Sequence, residues 1–340
     1  MMKTLLRASL TLALGLSAGG VSAVTLTDDM GQQVELPHPA RHIADAWYAH
    51  HSLLMTLGAG NLIVATVNHP ADRPWMFKVQ PSLNQALQAR GKTFSSEALV
   101  ARGVDAIFVP AQDPDAVSYR QAAIPTLNMR FNDVASMKRS LLTTAQVVGT
   151  PEAQRRALAY NRYLDAQVAA VGAQTASLSP AQRPRVLHIQ SLQPLKVDGS
   201  QTLIDSWIRL AGGRNAAAQV TGNMKEVSPE QVIAWDPDVI IIGAGAGRLE
   251  TSPYAALFSG LKAVTQHRVL QNPSGVFPWD RYGTEVALQI LWAAKQLHPQ
   301  RFARLDLIAA TRRFYQRFYD YPLREDEARR ILAGLPPISG

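Results

Sequence analysis

Two glutamates stand in matching surroundings. Glu97 lies in Ser95-Ser96-Glu97-Ala98-Leu99-Val100-Ala101-Arg102-Gly103-Val104-Asp105-Ala106-Ile107, and Glu230 in Ser228-Pro229-Glu230-Gln231-Val232-Ile233-Ala234-Trp235-Asp236-Pro237-Asp238-Val239-Ile240. In each, a Glu opens a short helical stretch, an Asp follows eight residues later, and an apolar strand begins. A carboxylate in a first helical turn suits the positive end of the helix dipole, which accounts for either Glu alone. Two at matched positions read as a pair of contact points, one on each of two similar lobes.

A second set of residues could hold a ligand. The loops Trp47 to His51, Asn68 to Trp75, Met129-Arg130-Phe131, Gln190 to Leu195, Asn223-Met224-Lys225 and Phe277 to Tyr282 belong to the cleft side, where open α/β sheets bind solutes beyond the carboxyl ends of their strands. The candidate contacts are Trp47, Tyr48, His50, His69, Arg73, Trp75, Arg130, Lys225, Trp279, Arg281 and Tyr282. Aromatic faces fit a flat or greasy chelate, and Arg73, Arg130, Lys225 and Arg281 would neutralise an anionic one. Core packing competes for each Trp and Tyr, because these residues are mostly buried in any fold.

His50, His51 and His69 are also candidates for direct metal coordination, and Tyr48 for a phenolate bond to haem iron. Adjacent histidines reach one metal only through an unusual turn, and no carboxylate-rich motif accompanies them. An exported metal-dependent enzyme is the rival class. The chain has no HExxH, no GxSxG and no Cys, and Gly243-Ala244-Gly245-Ala246-Gly247 does not match GxGxxG. Glycines there permit a tight turn. Asp72 beside His69 is the remaining candidate catalytic pair.

The elements that must position these residues alternate. A hairpin is expected between Thr25 and Pro39. Short apolar strands follow at 41–46, 62–67, 106–109 and 125–129, and again at 185–190, 239–243 and 268–271, separated by helical stretches. Such alternation implies two mainly parallel, Rossmann-like sheets covered on both faces. Between them, Thr150-Pro151-Glu152 offers an N-cap, a Pro at the first helical position and an acidic first turn. The spacing of Ala157, Tyr160, Leu164, Val168 and Val171 then predicts a helix of about 25 residues, roughly 37 Å long. The expected division is a first lobe at 24–149, an interlobe helix at 150–178 and a second lobe at 179–340, bridged stiffly rather than hinged. From Glu285 to Tyr321 the pattern is helical again, with Arg312, Arg313 and Arg317 on a solvated face.

Residues 1–23 read as a cleavable secretory signal: Lys3 and Arg7 are the positive region, Ala8 to Leu16 the apolar stretch, and Val21-Ser22-Ala23 the small residues before cleavage. No later segment has the roughly 18 to 20 uninterrupted apolar residues of a membrane helix. The absence of Cys excludes disulfides, thiolate metal sites and a lipidated lipoprotein Cys. A free periplasmic monomer with no resident cofactor is expected. The net charge of +8 falls to +6 without Lys3 and Arg7, a modest excess that suits an anionic ligand or a membrane-adjacent partner. No basic run interleaved with aromatics suggests nucleic acid.

Asp29-Met30-Gly31-Gln32-Gln33-Val34-Glu35-Leu36-Pro37, Arg41-His42-Ile43, Leu57-Gly58 before Leu62-Ile63-Val64, and both Glu-to-Asp units together resemble the substrate-binding proteins of iron-complex, siderophore and cobalamin ABC importers. The similarity runs over essentially the whole mature chain. The resemblance implies two α/β lobes joined by one long helix, with the ligand held in the cleft between them. It also implies that Glu97 and Glu230 dock onto arginines of a membrane permease driven by a cytoplasmic ATPase. The expected cargo is a metal chelate, first a ferric siderophore, with haem, cobalamin or molybdate as alternatives, bound without chemical change.

Overall fold

The computed structural model describes residues 23–338. The expected secretory signal falls almost wholly outside the described residues. No helix among them is long and apolar enough to cross a membrane.

The chain opens with an antiparallel hairpin of β1 (Val24–Thr27) and β2 (Gln33–Leu36). Asp28 seats it on the first lobe, its Oδ2 accepting from the backbone and side-chain nitrogens of Asn128. The first lobe holds β3 (Ile43–Asp45), α1 (His51–Thr56), β4 (Ile63–Thr66), α2 (Pro74–Val79), β5 (Leu87–Gln88), α3 (Ser96–Ala101), β6 (Ala106–Pro110), α4 (Ala116–Gln121), β7 (Thr126–Met129) and α5 (Val134–Val148). Its sheet is wholly parallel, in the order β5-β4-β3-β6-β7.

Then α6 (Pro151–Thr175) crosses to the second lobe. Thr150 Oγ1 caps it by accepting from the Ala153 N–H at 3.1 Å, and Ala153, Ala157, Tyr160, Leu164 and Val171 form its buried stripe. At 25 residues it matches the expected length, about 37 Å at 1.5 Å per residue.

The second lobe holds β8 (Arg185–Leu192), β9 (Leu195–Val197), α7 (Leu203–Leu210), β10 (Arg214–Asn215), β11 (Lys225–Glu226), α8 (Pro229–Trp235), β12 (Val239–Ile242), α9 (Lys262–Thr265) and β13 (Val269–Gln271). The order is β11-β9-β8-β12-β13, with β10 beside β8; β9 and β11 run antiparallel, an edge the sequence pattern does not reveal. The expected single helical stretch at 285–321 is instead α10 (Val286–Leu297) and α11 (Leu307–Phe318), and α12 (Glu325–Leu332) follows. Pro299 cannot continue the α10 hydrogen-bond ladder, and Asp306 starts α11 afresh by capping the Ala309 N–H. Arg312, Arg313 and Arg317 are exposed, as expected.

Each sheet sends alternate side chains to two different cores. Ala106 and Phe108 of β6, and Val239 and Ile241 of β12, belong to one apolar cluster that runs through both lobes and takes in Tyr160 and Leu164 of α6. Ile107 and Val109 pack on the outer side of the first sheet, and Ile240 and Ile242 on the outer side of the second. The period of two along a strand makes this division. Polar ties reinforce the shared core: Thr284 donates its N–H to Ser52 Oγ at 3.1 Å, Trp75 Nε1 donates to Leu335 O at 2.9 Å, and Lys78 pairs with Glu327 at 2.9 Å.

Candidate functional site

The loops beyond the strand ends meet between the lobes. After β3, Trp47 and Tyr48 stand half-buried; after β7, the buried Phe131 ring lies 5.1 Å from Trp47. Tyr282 of the second lobe completes the group, 6.2 Å from Trp47 and 5.7 Å from Phe131, and its hydroxyl donates to Asn223 Oδ1 at 2.5 Å. After β4, half-buried Arg73 donates from Nη1 to Asp72 O at 2.8 Å and lies over the Phe277 ring of the opposite lobe at 5.0 Å. Burial pulls its guanidinium below the ordinary range, against the charges of Asp72, Tyr48 and Asp280. Beside Arg73 a cavity of about 230 Å³ lies between Asp72 and Trp75 on one side and Ser274, Gly275 and Leu335 on the other.

The second lobe contributes a buried charged chain. His188, in the middle of β8, bonds from Nδ1 to Asp198 Oδ2 at 2.8 Å and from Nε2 to Asp280 Oδ2 at 2.6 Å. Arg281 bonds to the same Asp198 oxygen at 2.9 Å and packs over Tyr282. Burial alone would lower the His188 pKa, but the two carboxylates outweigh it and raise it to about 9, so both ring nitrogens carry protons at neutral pH. Burial pushes Asp198 up, yet Arg281 and His188 hold it well below the usual carboxylate range. Arg281 in turn lies above its ordinary value despite burial. Sequence reasoning singled out Arg281 as a ligand contact but not His188, Asp198 or Asp280, although a His inside the apolar run of β8 was a visible signal.

Four side-chain atoms near the interface are buried without a hydrogen-bond partner: Arg73 Nε, Asn68 Oδ1, Gln190 Oε1 and Asp280 Oδ1. Such atoms are rare in folded proteins, and each calls for a partner such as a water or a bound solute. Gly243, at the end of β12, lets Gln190 and Asp280 approach: a Cβ there would meet Gln190 Oε1 at 3.1 Å and Asp280 Oδ2 at 3.2 Å.

Several expected contacts lie elsewhere. His50 is fully buried, its Nδ1 on Asp45 Oδ2 and its Nε2 on Thr144 Oγ1, both at 2.9 Å. His51 is equally buried, its Nδ1 on Trp47 O and its Nε2 on Thr66 Oγ1. Burial lowers its pKa. With both nitrogens of each ring engaged inside the core, neither is available to a ligand or a metal in this arrangement. Trp75 and Trp279 are core residues too, their indole N–H groups bonded to Leu335 O and Glu285 Oε1. A large aromatic payload is most cheaply buried where its one donor finds an acceptor, which is why two of the expected wall residues are packing instead. Arg130 and Lys225 are exposed, while His69 is half-buried with Nδ1 on Gln88 Oε1. Among the described residues no group of three or more His, Cys, Asp or Glu could hold a metal ion.

The two Glu units repeat in three dimensions. Ser95 and Ser228 cap α3 and α8, Leu99 and Val232 are their fully buried anchors, and Glu97 and Glu230 are exposed. Asp105 accepts from Arg41 N and His42 N just before β3, and Asp238 from Arg185 N where β8 begins. The Asp of each unit thus ties its strand to the neighbouring central strand. Val100 and Ile233, three residues after each Glu, are 55% and 40% exposed. The Ser95 hydroxyl holds the Glu97 carboxyl below its usual pKa.

Two lobes sharing a core, bridged by one long helix and meeting at a cleft of strand-end loops, define a solute-binding architecture. The chain belongs to the periplasmic binding protein family, which its residues 95–274 match. Over 97% of its length and 99% of the other protein's, it is 26% identical to the molybdate-binding protein MolA of Haemophilus influenzae. Among solved structures, a periplasmic solute binding protein from Veillonella parvula superposes with a TM-score of 0.76 at 23% identity, covering 92% of this chain and 97% of that one. The molybdate-bound MolA structure superposes with a TM-score of 0.74 at 20% identity, covering 88% and 99%. That MolA is described as the cognate binding protein of an ABC transporter. Each of these relatives is named as a solute- or molybdate-binding protein.

Proposed function

We propose that this protein is the periplasmic capture component of an ABC importer, exported by its N-terminal signal, monomeric, and without catalytic activity of its own. It holds an anionic solute between residues 24–149 and 179–340 and delivers it to a membrane permease with a cytoplasmic ATPase. The observation that carries this reading is Arg73: a half-buried cation from one lobe, stacked on Phe277 of the other, with an unpaired Nε at the interface. Trp47, Tyr48 and Tyr282 supply aromatic surface where the lobes meet, which suits a metal chelate, first a ferric siderophore. His69 and Tyr48 are the protein groups left to approach an iron or haem centre. A molybdate-type oxyanion is the second reading, favoured by the end-to-end similarity to MolA.

Glu97 with Val100, and Glu230 with Ile233, are the proposed permease contacts, each an exposed acid beside an exposed aliphatic. Surface ion pairs add roughly 0 to 1 kcal/mol each but orient an encounter, which suits a partner that docks and leaves.

The test is tryptophan-fluorescence titration of the mature protein with ferric siderophores, haemin, cobalamin and molybdate. Saturable sub-micromolar quenching by one of them, weakened by about 1 to 3 kcal/mol in Arg73→Ala, supports the reading. Turnover of any of these compounds by the isolated protein would move it to the enzyme class. Glu97→Ala with Glu230→Ala should leave the affinity unchanged while abolishing uptake.

A further inference from the structure

The unpaired atoms at the interface are not all of one kind. Arg73 Nε is a donor, and an anionic ligand satisfies it. Asp280 Oδ1 is a carboxylate oxygen in a residue only 1% exposed, and no anion's lone pair satisfies that. Its sister oxygen, Oδ2, is occupied by His188 Nε2 at 2.6 Å, and His188 is held from behind by Asp198 at 2.8 Å. The chain Asp198–His188–Asp280 therefore fixes which oxygen is engaged and which is left over. Asp280 lies beside the Gln190 amide at Gly243 and within electrostatic reach of Arg73 across the interface.

We infer that the cleft selects a solute carrying an N–H or O–H donor next to its anionic group, with Asp280 Oδ1 as the acceptor that enforces the choice. The inference rests on the cleft reading above and decides between its two ligand classes. A bare tetrahedral oxyanion such as molybdate or sulfate brings lone pairs against a buried carboxylate and leaves that oxygen unpaired. A protonated oxyanion, or a chelate with amide N–H groups at its rim, satisfies both Arg73 and Asp280. Sites built to hydrogen-bond a donor reject analogues that lack it far more strongly than apolar pockets reject a methylene. His188 is a positioning residue in this scheme. Asp280→Asn keeps the size of the side chain and removes the carboxylate charge, so the place of Oδ1 no longer offers an anionic acceptor.

The experiment is calorimetric titration of the mature protein at neutral pH with sodium sulfate, sodium molybdate, sodium phosphate and a ferric tris-catecholate siderophore whose amide N–H groups flank the iron. Hydrogenphosphate and sulfate match in size and charge and differ in one proton. The wild type should bind at least one donor-bearing probe roughly ten- to a hundredfold more tightly than any bare oxyanion, and Asp280→Asn should narrow or reverse that ratio. Since Asp280 also pairs with His188, the wild-type ratio is the readout that depends on no variant; circular dichroism checks that Asp280→Asn is folded. Molybdate or sulfate binding as tightly as the donor-bearing probes in the wild type overturns the inference and leaves solute capture standing. Binding of none of the four by either protein overturns the cleft reading itself, and the inference with it.

Discussion

Both lobes bury an Asp–His pair on a central strand, and the two pairs are finished differently. In the first lobe Asp45 spends Oδ1 on Trp47 N and Oδ2 on His50, whose other nitrogen meets Thr144. Every polar atom of that pair is satisfied from within the lobe. In the second lobe His188 lies between two carboxylates, Arg281 shares one of them, and Asp280 keeps an oxygen unmatched. The first centre is a structural tie for a turn, whereas the second is a charged scaffold with one valence left open. The same residue types thus carry support in one lobe and, by the inference above, recognition in the other, and the difference lies in the accounting of hydrogen bonds, not in composition.

The comparison can be broken most sharply at Asp198. Asp198→Asn leaves Arg281 and His188 buried with too little negative charge, so unfolding free energy should fall by about 3 to 5 kcal/mol, read from urea denaturation. A loss below about 1 kcal/mol would mean that the second centre is no scaffold. Asp45→Asn removes a single charge-assisted bond to His50, and the expected cost is smaller, about 1.5 to 3 kcal/mol.

The pH dependence separates the two centres next. With the His188 pKa raised to about 9 in the folded state, its stabilisation is fully present below its unfolded value of 6.5 and is lost as pH rises through about 9. Burial raises Glu285 to about 7, so its contribution is lost at lower pH, between its ordinary 4.5 and about 7. Melting temperature should therefore fall from about pH 7 to about pH 9.5 in the wild type. His188→Gln should flatten that slope and His50→Gln should leave it in place. An unchanged slope in His188→Gln contradicts the doubly protonated ring. The smallest effect sharpens the lobe comparison at its repeated caps: Ser95→Ala and Ser228→Ala should each cost about 1 kcal/mol by thermal melting. A large disparity between them would show that the two units repeat in shape but not in energetics.

The fold was legible where the chain advertises itself. Continuous apolar runs gave β6 and β12, the Thr150-Pro151 cap and the helical stripe gave α6, and the repeated Glu-to-Asp units gave the two lobes. The antiparallel edge of β9 and β11 was not, because strands of three and two residues carry no periodicity. Arg73 and Tyr282, expected from residue type and position in strand-end loops, do lie where the lobes meet. His50, Trp75 and Trp279 were misplaced because a residue in a strand-end loop can point inward as readily as outward, and only the partner of its polar atom decides. Asp280 stood in view in the Phe277 to Tyr282 loop, but its importance lies in an oxygen without a partner, and sequence does not display missing bonds.

The core that runs unbroken through both lobes, with Trp75 tied to Leu335 and Lys78 to Glu327, has a kinetic consequence. Swinging the lobes apart would expose apolar surface along the whole of that core, so under the proposed function a captured solute would leave only as fast as the rim loops around Trp47 and Tyr282 loosen. Residence is then long compared with a freely hinged clamp. In the proposed docking, a membrane partner gripping α3 on one lobe and α8 on the other would hold both ends of the lever that shortens it.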